Sequence, residues 1–254
     1  MKIGFHIHTH HSHDGSHSPN DIVQEALALG FHVLAITDHN TVKGSREAQA
    51  LAPNGLEVII GAEFSTQRGH ILSLFIDESI EKTLTPHEGL YDFDTLVEKV
   101  HALGGLAILA HPYQSHALRD PSFLQSLDGM EWINGRILGS RHGKASQSFC
   151  QSLKDQFQLP LYGGSDAHGI REMKHVYMTA SPADSLKETF KNIQSIHYQK
   201  PYQAPIIYHK IKYNHLGLKY KLKQWIKLVY CLVPDLITLM GGSNYEVIRV
   251  RSKS

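Results

Sequence analysis

The chain has 254 residues, 41% of them hydrophobic, and a formal net charge of +1. That length suits one large domain, and so even a balance supplies no field of one sign to steer nucleic acid or an acidic partner to the whole chain. Two cysteines, Cys150 and Cys231, without CxxC spacing, exclude a disulfide framework and a thiolate zinc site.

The first predicted strand, IGFHIH, follows Met1 and Lys2 directly, with no room for a signal peptide, so the expected location is the cytoplasm. It leads into a histidine-dense stretch, FHIHTHHSHDG at residues 5–15. A helix follows, SPNDIVQEALALG, with Ser18 as N-cap, Pro19 at its first position and Gly30 as its stop. Next come strand FHVLAIT, helix VKGSREAQALA, strands LEVIIGAE and HILSLFI, and helix DFDTLVEKVHALGG. Strands LAILAHP and DGMEWIN, helix KASQSFCQSLKDQFQ, strand LPLYGGSDAH and helix DSLKETFKNIQSI complete the body. Strands apolar nearly throughout and separated by helices require a parallel sheet covered on both faces. The expected fold is α/β: a (β/α) barrel of about seven strands or, failing that, an open doubly wound sheet.

Residues 205–254 differ in character. They hold nine Lys and Arg against Asp235 and Glu246, a net of +7, so residues 1–204 carry −6. Within them, Leu218, Leu222, Trp225, Ile226, Val229, Leu232 and Val233 repeat at helical spacing opposite Lys219, Lys223 and Lys227. This predicts an amphipathic basic extension at 212–240, beyond a body at 1–204. Its apolar face would cap the barrel bottom or another subunit; peripheral attachment to anionic lipid is the second reading, and binding to a nucleic-acid backbone the third. The apolar run 228–240 is too short to span a membrane and is broken by Pro234 and Asp235.

Polar residues gather at strand ends: His6 and His8 on the first strand, Asp38 and His39 after the second, Glu63 after the third. His70 opens the fourth, His111 follows the fifth, and Asp166 and His168 follow the seventh. Strand C-termini of a parallel barrel converge on one face, so separate strands deliver these side chains to one place. His6 and His8, two apart, point to one face of their strand.

The motifs FHIHTHHSHDG, AITDHNTVKG, IIGAEFS, AHPY and YGGSDAHG, in that order, resemble those of the PHP family of metal-dependent phosphoesterases, over roughly residues 3–196. The resemblance implies a distorted (β/α)7 TIM-like barrel with a two- or three-metal centre that hydrolyses phosphate esters. It makes His6, His8, Glu63 and Asp166 ligands of one metal, with Glu63 bridging to a second held also by His70 and His111. Asp14, His39 and His168 hold the third, with His13 the alternative to Asp14. Imidazole and carboxylate donors suit Zn, Mn or Fe, with Mg also in range. Two such cations about 3.5–4 Å apart can turn a shared water into hydroxide near neutral pH and neutralise charge on the phosphate. No GxSxG elbow or Walker-type glycine loop offers another mechanism.

Further residues carry lesser expectations. Asp38 either orients His39 or caps the following helix. One of Arg119, Arg136, Arg141 and Arg171 clamps the phosphate, Asn134 lines the site, and His142 donates a proton to the leaving group. The expected substrate is a small or nucleotide-like phosphomonoester. The alternatives are a phosphodiesterase or exonuclease acting on RNA or DNA ends, and a non-hydrolytic, metal-stabilised module.

Overall fold

In the computed structural model, residues 1–140, 142–199 and 245–250 are described. Arg141 and the extension expected at 212–240 lie outside the described residues.

The core is one curled sheet. β1 (Lys2–Ile7), β2 (Val33–Ile36) and β3 (Glu57–Thr66) are parallel, and β4 (Gly69–Leu74) is antiparallel to both neighbours. β5 (Leu106–Leu109), β6 (Gly129–Asn134) and β7 (Leu161–Gly164) then run parallel to one another. Three antiparallel strands extend the other side: β8 (Val176–Ala180), β9 (Ile193–Tyr198) and β10 (Glu246–Arg249).

β1 changes partner halfway along, and that change closes the curl. Lys2 and Ile3 pair with Thr179 and Met178 of β8. Further up, Ser165 N–H donates to Phe5 O at 2.9 Å and His8 N–H to Ala167 O at 2.8 Å, so the segment leaving β7 docks beside β1. The result is a distorted TIM-like barrel. Ile3, Phe5, Val33, Ala35, Leu72 and Tyr162 belong to its interior.

The helices are α1 (Pro19–Ala28), α2 (Lys43–Leu51), α3 (Ser79–Thr83), α4 (Phe93–Ala102), α5 (Gly135–Leu138), α6 (Gly143–Phe157) and α7 (Leu186–Lys191). The start of α1 follows its sequence signals: Ser18 Oγ accepts from Asp21 N–H while the Asp21 carboxylate accepts from Ser18 N–H. Gly30 ends it with φ of +69°. Ile22, Val23 and Ala26 of α1 pack with Leu34 and Ile36 on the outer face of the sheet.

Two expectations are corrected. The sheet is not wholly parallel, since β4 and the β8–β10 group are antiparallel. The final body helix is also shorter than its pattern, because IQSIHY at 193–198 is strand. Ile193 and Ile196 satisfy helical spacing as an extension of Phe190, but pairing with β8 gives their backbone a ladder and buries both.

Candidate metal centre

The centre begins with an irregularity in β1. Gly4 lies opposite Leu34 and Phe5 opposite Ala35, but the next pair is Ile7 with Ile36. Phe5 belongs to the barrel interior, whereas Ile7 packs with α1 on the outer face. Strict alternation would therefore have sent His6 and His8 outward with Gly4. A bulge at His6, whose φ is +59°, inverts the phase and turns both imidazoles toward the site. Asp166 (φ +50°) and His111 (φ +28°) also hold left-handed backbone, a concentration of strain characteristic of functional sites.

Glu63, buried on β3, is the hub. Its Oε2 lies 3.3 Å from His6 Nε2, 3.3 Å from His8 Nε2 and 3.2 Å from His39 Nδ1. Its Oε1 lies 2.9 Å from His70 Nδ1 and 3.0 Å from His111 Nε2. Asp166 Oδ1 stands 3.5 Å from His6 Nε2 and 3.4 Å from His8 Nε2. At the open side, Asp14 Oδ2 lies 2.8 Å from His168 Nε2 and 3.7 Å from His39 Nε2. All nine expected positions thus fall into overlapping donor groups: His6, His8 and Glu63; His6, His111 and Asp166; His39, Glu63 and His70; His8, Asp14, His39 and His168. His13 is exposed, with its Nε2 4.0 Å from Asp14 Oδ2, and joins none of these groups.

The antiparallel course of β4 explains His70. In a parallel strand a residue near the start would lie at the far end of the barrel, whereas here Ser65 of β3 pairs with His70 directly.

The donor chemistry fits cations. His6 Nε2, His8 Nε2 and His111 Nδ1 are buried without a hydrogen-bond partner. Two donors bound to one ion at about 2.1 Å each stand roughly 3–3.4 Å apart, close to the 3.3–3.5 Å that separates His6 Nε2 and His8 Nε2 from the Glu63 and Asp166 oxygens. The far ring nitrogens fix the tautomers. In the neutral ring, His6 Nδ1–H donates to Glu131 Oε1 at 2.9 Å, which leaves the lone pair that a cation needs on Nε2. Ser12 Oγ–H is committed to Asp38 Oδ1 at 3.0 Å, so His8 Nδ1–H must donate to Ser12 Oγ, also at 3.0 Å. His168 Nδ1–H donates to Asp166 O at 2.9 Å.

Electrostatics reinforce the arrangement. Burial opposes charge on His6, but Glu131, Asp166 and Glu63 outweigh it and hold its pKa well above the ordinary value. Burial likewise opposes charge on Glu63 and Asp166, and the surrounding imidazoles, His6 foremost, keep both carboxylates below their usual range. His39 is pushed down to about 4, chiefly by burial.

Three other groups have different roles. Asp38 does not cap α2: it accepts from Thr9 N–H, Thr9 Oγ1–H and Ser12 Oγ–H, tying down the loop that carries His8 and Asp14. Asn134 is buried, donates to Glu131 Oε2 and Asp166 Oδ2, and accepts from the Arg136 and Ile137 N–H groups. Its amide is fully committed to positioning these neighbours. His142, just before α6, is exposed, with its ring centroid 5.7 Å from that of Tyr113.

Sequence reasoning passed over Glu131. It is fully buried on β6, and its Oε2 also accepts His111 N–H at 2.8 Å. The available signal was a lone carboxylate inside GMEWIN, on a strand whose neighbours deliver other site residues.

The profile of the PHP domain family matches residues 4–249. The chain belongs to the PHP family, a family of metal-dependent phosphoesterases. Over 147 residues this PHP chain is 40% identical to an uncharacterized protein of Methanocaldococcus jannaschii, covering 53% of this chain and 82% of that one. It is also 42% identical over 86 residues to a 5′-3′ exoribonuclease of Haemophilus influenzae, covering 32% of this chain and 31% of that protein. Its PHP fold is similar to a two-domain protein of Bacteroides vulgatus containing a predicted PHP-like metal-dependent phosphoesterase. That TM-score is 0.58 at 18% identity, covering 78% of this chain and 64% of the other. Among the described residues, no helix is long and apolar enough to cross a membrane.

Proposed function

We propose that this PHP protein hydrolyses a small or nucleotide-like phosphomonoester at a centre of two or three divalent cations held by His6, His8, Asp14, His39, Glu63, His70, His111, Asp166 and His168. The observation that carries this reading is Glu63, one buried carboxylate whose two oxygens face different imidazoles, as a carboxylate shared between two cations must. Bound there, Zn, Mn or Fe would supply an activated water and positive charge opposite the phosphate oxygens.

The remaining chemistry belongs to the chain. Arg136 is exposed next to Asn134, and its charge helps to depress the His168 pKa, after burial and His8, which supports a role in receiving the phosphate. His142 overhangs Tyr113, two residues beyond His111, and is the proposed proton donor to the leaving group.

A second reading, action on RNA or DNA ends, is supported by the similarity to the exoribonuclease. One experiment separates the two: metal analysis of purified protein, then hydrolysis of monoesters, diesters and 5′-phosphorylated oligonucleotides with Mn, Zn, Fe and Mg. Bound metal, monoester turnover and loss of both in His8→Ala are expected. Protein that binds no ion and hydrolyses nothing, with His8→Ala indistinguishable from the parent, would overturn the proposal. Oligonucleotide-only turnover favours the second reading.

A further inference from the structure

The loop between β1 and α1 carries two histidines that the central site leaves aside. Thr9 to Ser12 is a turn, closed by Ser12 N–H donating to Thr9 O at 3.1 Å, and His10 and His11 are its two middle residues. Consecutive residues of a strand point to opposite faces. At this corner they fan outward together, and their ring centroids lie 4.6 Å apart. α2 presents Glu47 to the pair: His11 Nε2 is 3.0 Å from Glu47 Oε2. One donor atom from each of His10, His11 and Glu47 lies within 4.8 Å of the other two. None of the three belongs to the donor groups around Glu63.

We infer that His10, His11 and Glu47 form a separate surface site for one transition-metal cation of the Zn²⁺, Ni²⁺ or Cu²⁺ class. Two imidazoles select these ions, and a single carboxylate is too little for Mg²⁺ or Ca²⁺, which take mostly oxygen ligands. Three protein donors leave the rest of the coordination sphere to water. His10 and Glu47 are exposed, and among the described residues the one side-chain hydrogen bond at either is that from His11 to Glu47, so this site binds more weakly than the central one. Its position gives it a consequence. A cation here cross-links α2 to the middle of the loop whose ends deliver His8 and Asp14, fixing that loop without touching the centre.

The alternative is an ordinary exposed His11–Glu47 hydrogen bond beside an incidental His10, an arrangement worth little. The test uses full-length protein stripped by chelator and titrated with Zn²⁺ against a chromogenic competitor, and separately with Cu²⁺ read by electron paramagnetic resonance. The His10→Asn/His11→Asn double variant is expected to bind one ion fewer per chain than the parent. Glu47→Gln should weaken that same ion by about tenfold or more, since it removes one of three protein ligands. The Cu²⁺ signal from this site should show imidazole nitrogen coupling that disappears in the double variant. The inference is independent of the central centre, because His8→Ala should leave the surface ion bound. Identical stoichiometry and competition curves for parent and double variant, both folded by circular dichroism, would overturn it.

Discussion

Glu131→Gln is a near-isosteric change with a directional effect. One carboxylate oxygen accepts Nδ1–H of His6, and the other accepts His111 N–H and the Asn134 amide. A glutamine must put its oxygen on one side and its NH₂ on the other. Facing the NH₂ toward His111 and Asn134 sets it against two donors, so the favoured orientation points it at His6 Nδ1. That nitrogen must then accept, which moves the ring proton to Nε2 and aims it at Glu63 and Asp166, 3.3 and 3.5 Å away. The lone pair that would hold a cation is lost. Losing an outer partner of a metal-binding histidine typically costs 10–100-fold in affinity or activity, about 1.4–2.7 kcal/mol, and the tautomer switch places this case at the upper end. Zinc competition and kcat/KM measure the loss, and nitrogen-15 histidine spectra read the tautomer. A Glu131→Gln protein with parental zinc affinity, parental turnover and Nδ1 still protonated would refute the reasoning.

Gly164→Ala probes the same contact from the backbone: the new Cβ overlaps Glu131 Oε1 and His6 Cβ, so denaturant unfolding should show a loss of about 1–3 kcal/mol, with weaker metal retention. His142→Ala should slow hydrolysis of alkyl phosphates by about 10²-fold or more while sparing nitrophenyl phosphate, whose leaving group needs no proton; equal rates on both substrates would remove His142 from the mechanism. Burial, aided by Lys174, pushes His175 down to about 4, so between pH 6.5 and 4 the unfolded chain binds the proton that the folded chain refuses. Stability should therefore fall with falling pH through that window, by about 3 kcal/mol in all. Urea unfolding of parent and His175→Gln at pH 7 and 4.5 checks it, because the variant should lack this component.

What was legible in the sequence was the convergence, and what was hidden was the backbone that achieves it. Apolar strands flanked by His, Asp or Glu mark one rim of a barrel, and of the nine positions so marked all but Asp38 meet in the donor groups around Glu63, where they are joined by Asp14, the position that the family resemblance implied. His6 and His8 do share a face, as their spacing of two implies, but alternation alone points the pair the wrong way, because an unbroken strand in phase with Ile3 and Phe5 turns both residues outward. A one-residue bulge has no signature in periodicity. The direction of β4 was equally invisible, since a strand's apolar pattern reads the same in either orientation, yet that direction brings His70 to the rim. Glu131 escaped because its neighbours in sequence are core residues and its partners lie 125 and 20 positions away, at His6 and His111.

The outer hydrogen bonds also decide how the metal-free protein behaves. Glu131, Ser12, Asp38 and Asn134 hold the imidazoles and carboxylates by protein contacts alone, so the fold should survive chelation. Without cations, the surrounding carboxylates Glu131, Asp166 and Glu63 hold the His6 pKa well above its ordinary value, favouring a second ring proton on Nε2. A cation taking Nε2 must displace that proton. Sign and size follow: below the His6 pKa, each pH unit upward should raise affinity about tenfold for the ion that displaces one proton, and binding should release protons to the buffer. Calorimetric titration in two buffers of different ionisation enthalpy counts them, while hydrogen exchange across β1–β7 in chelator reports the fold. A chelated protein that unfolds would place the cations, rather than this hydrogen-bonded shell, at the root of the structure. A pH-independent affinity would mean that His6 is already neutral before any ion arrives.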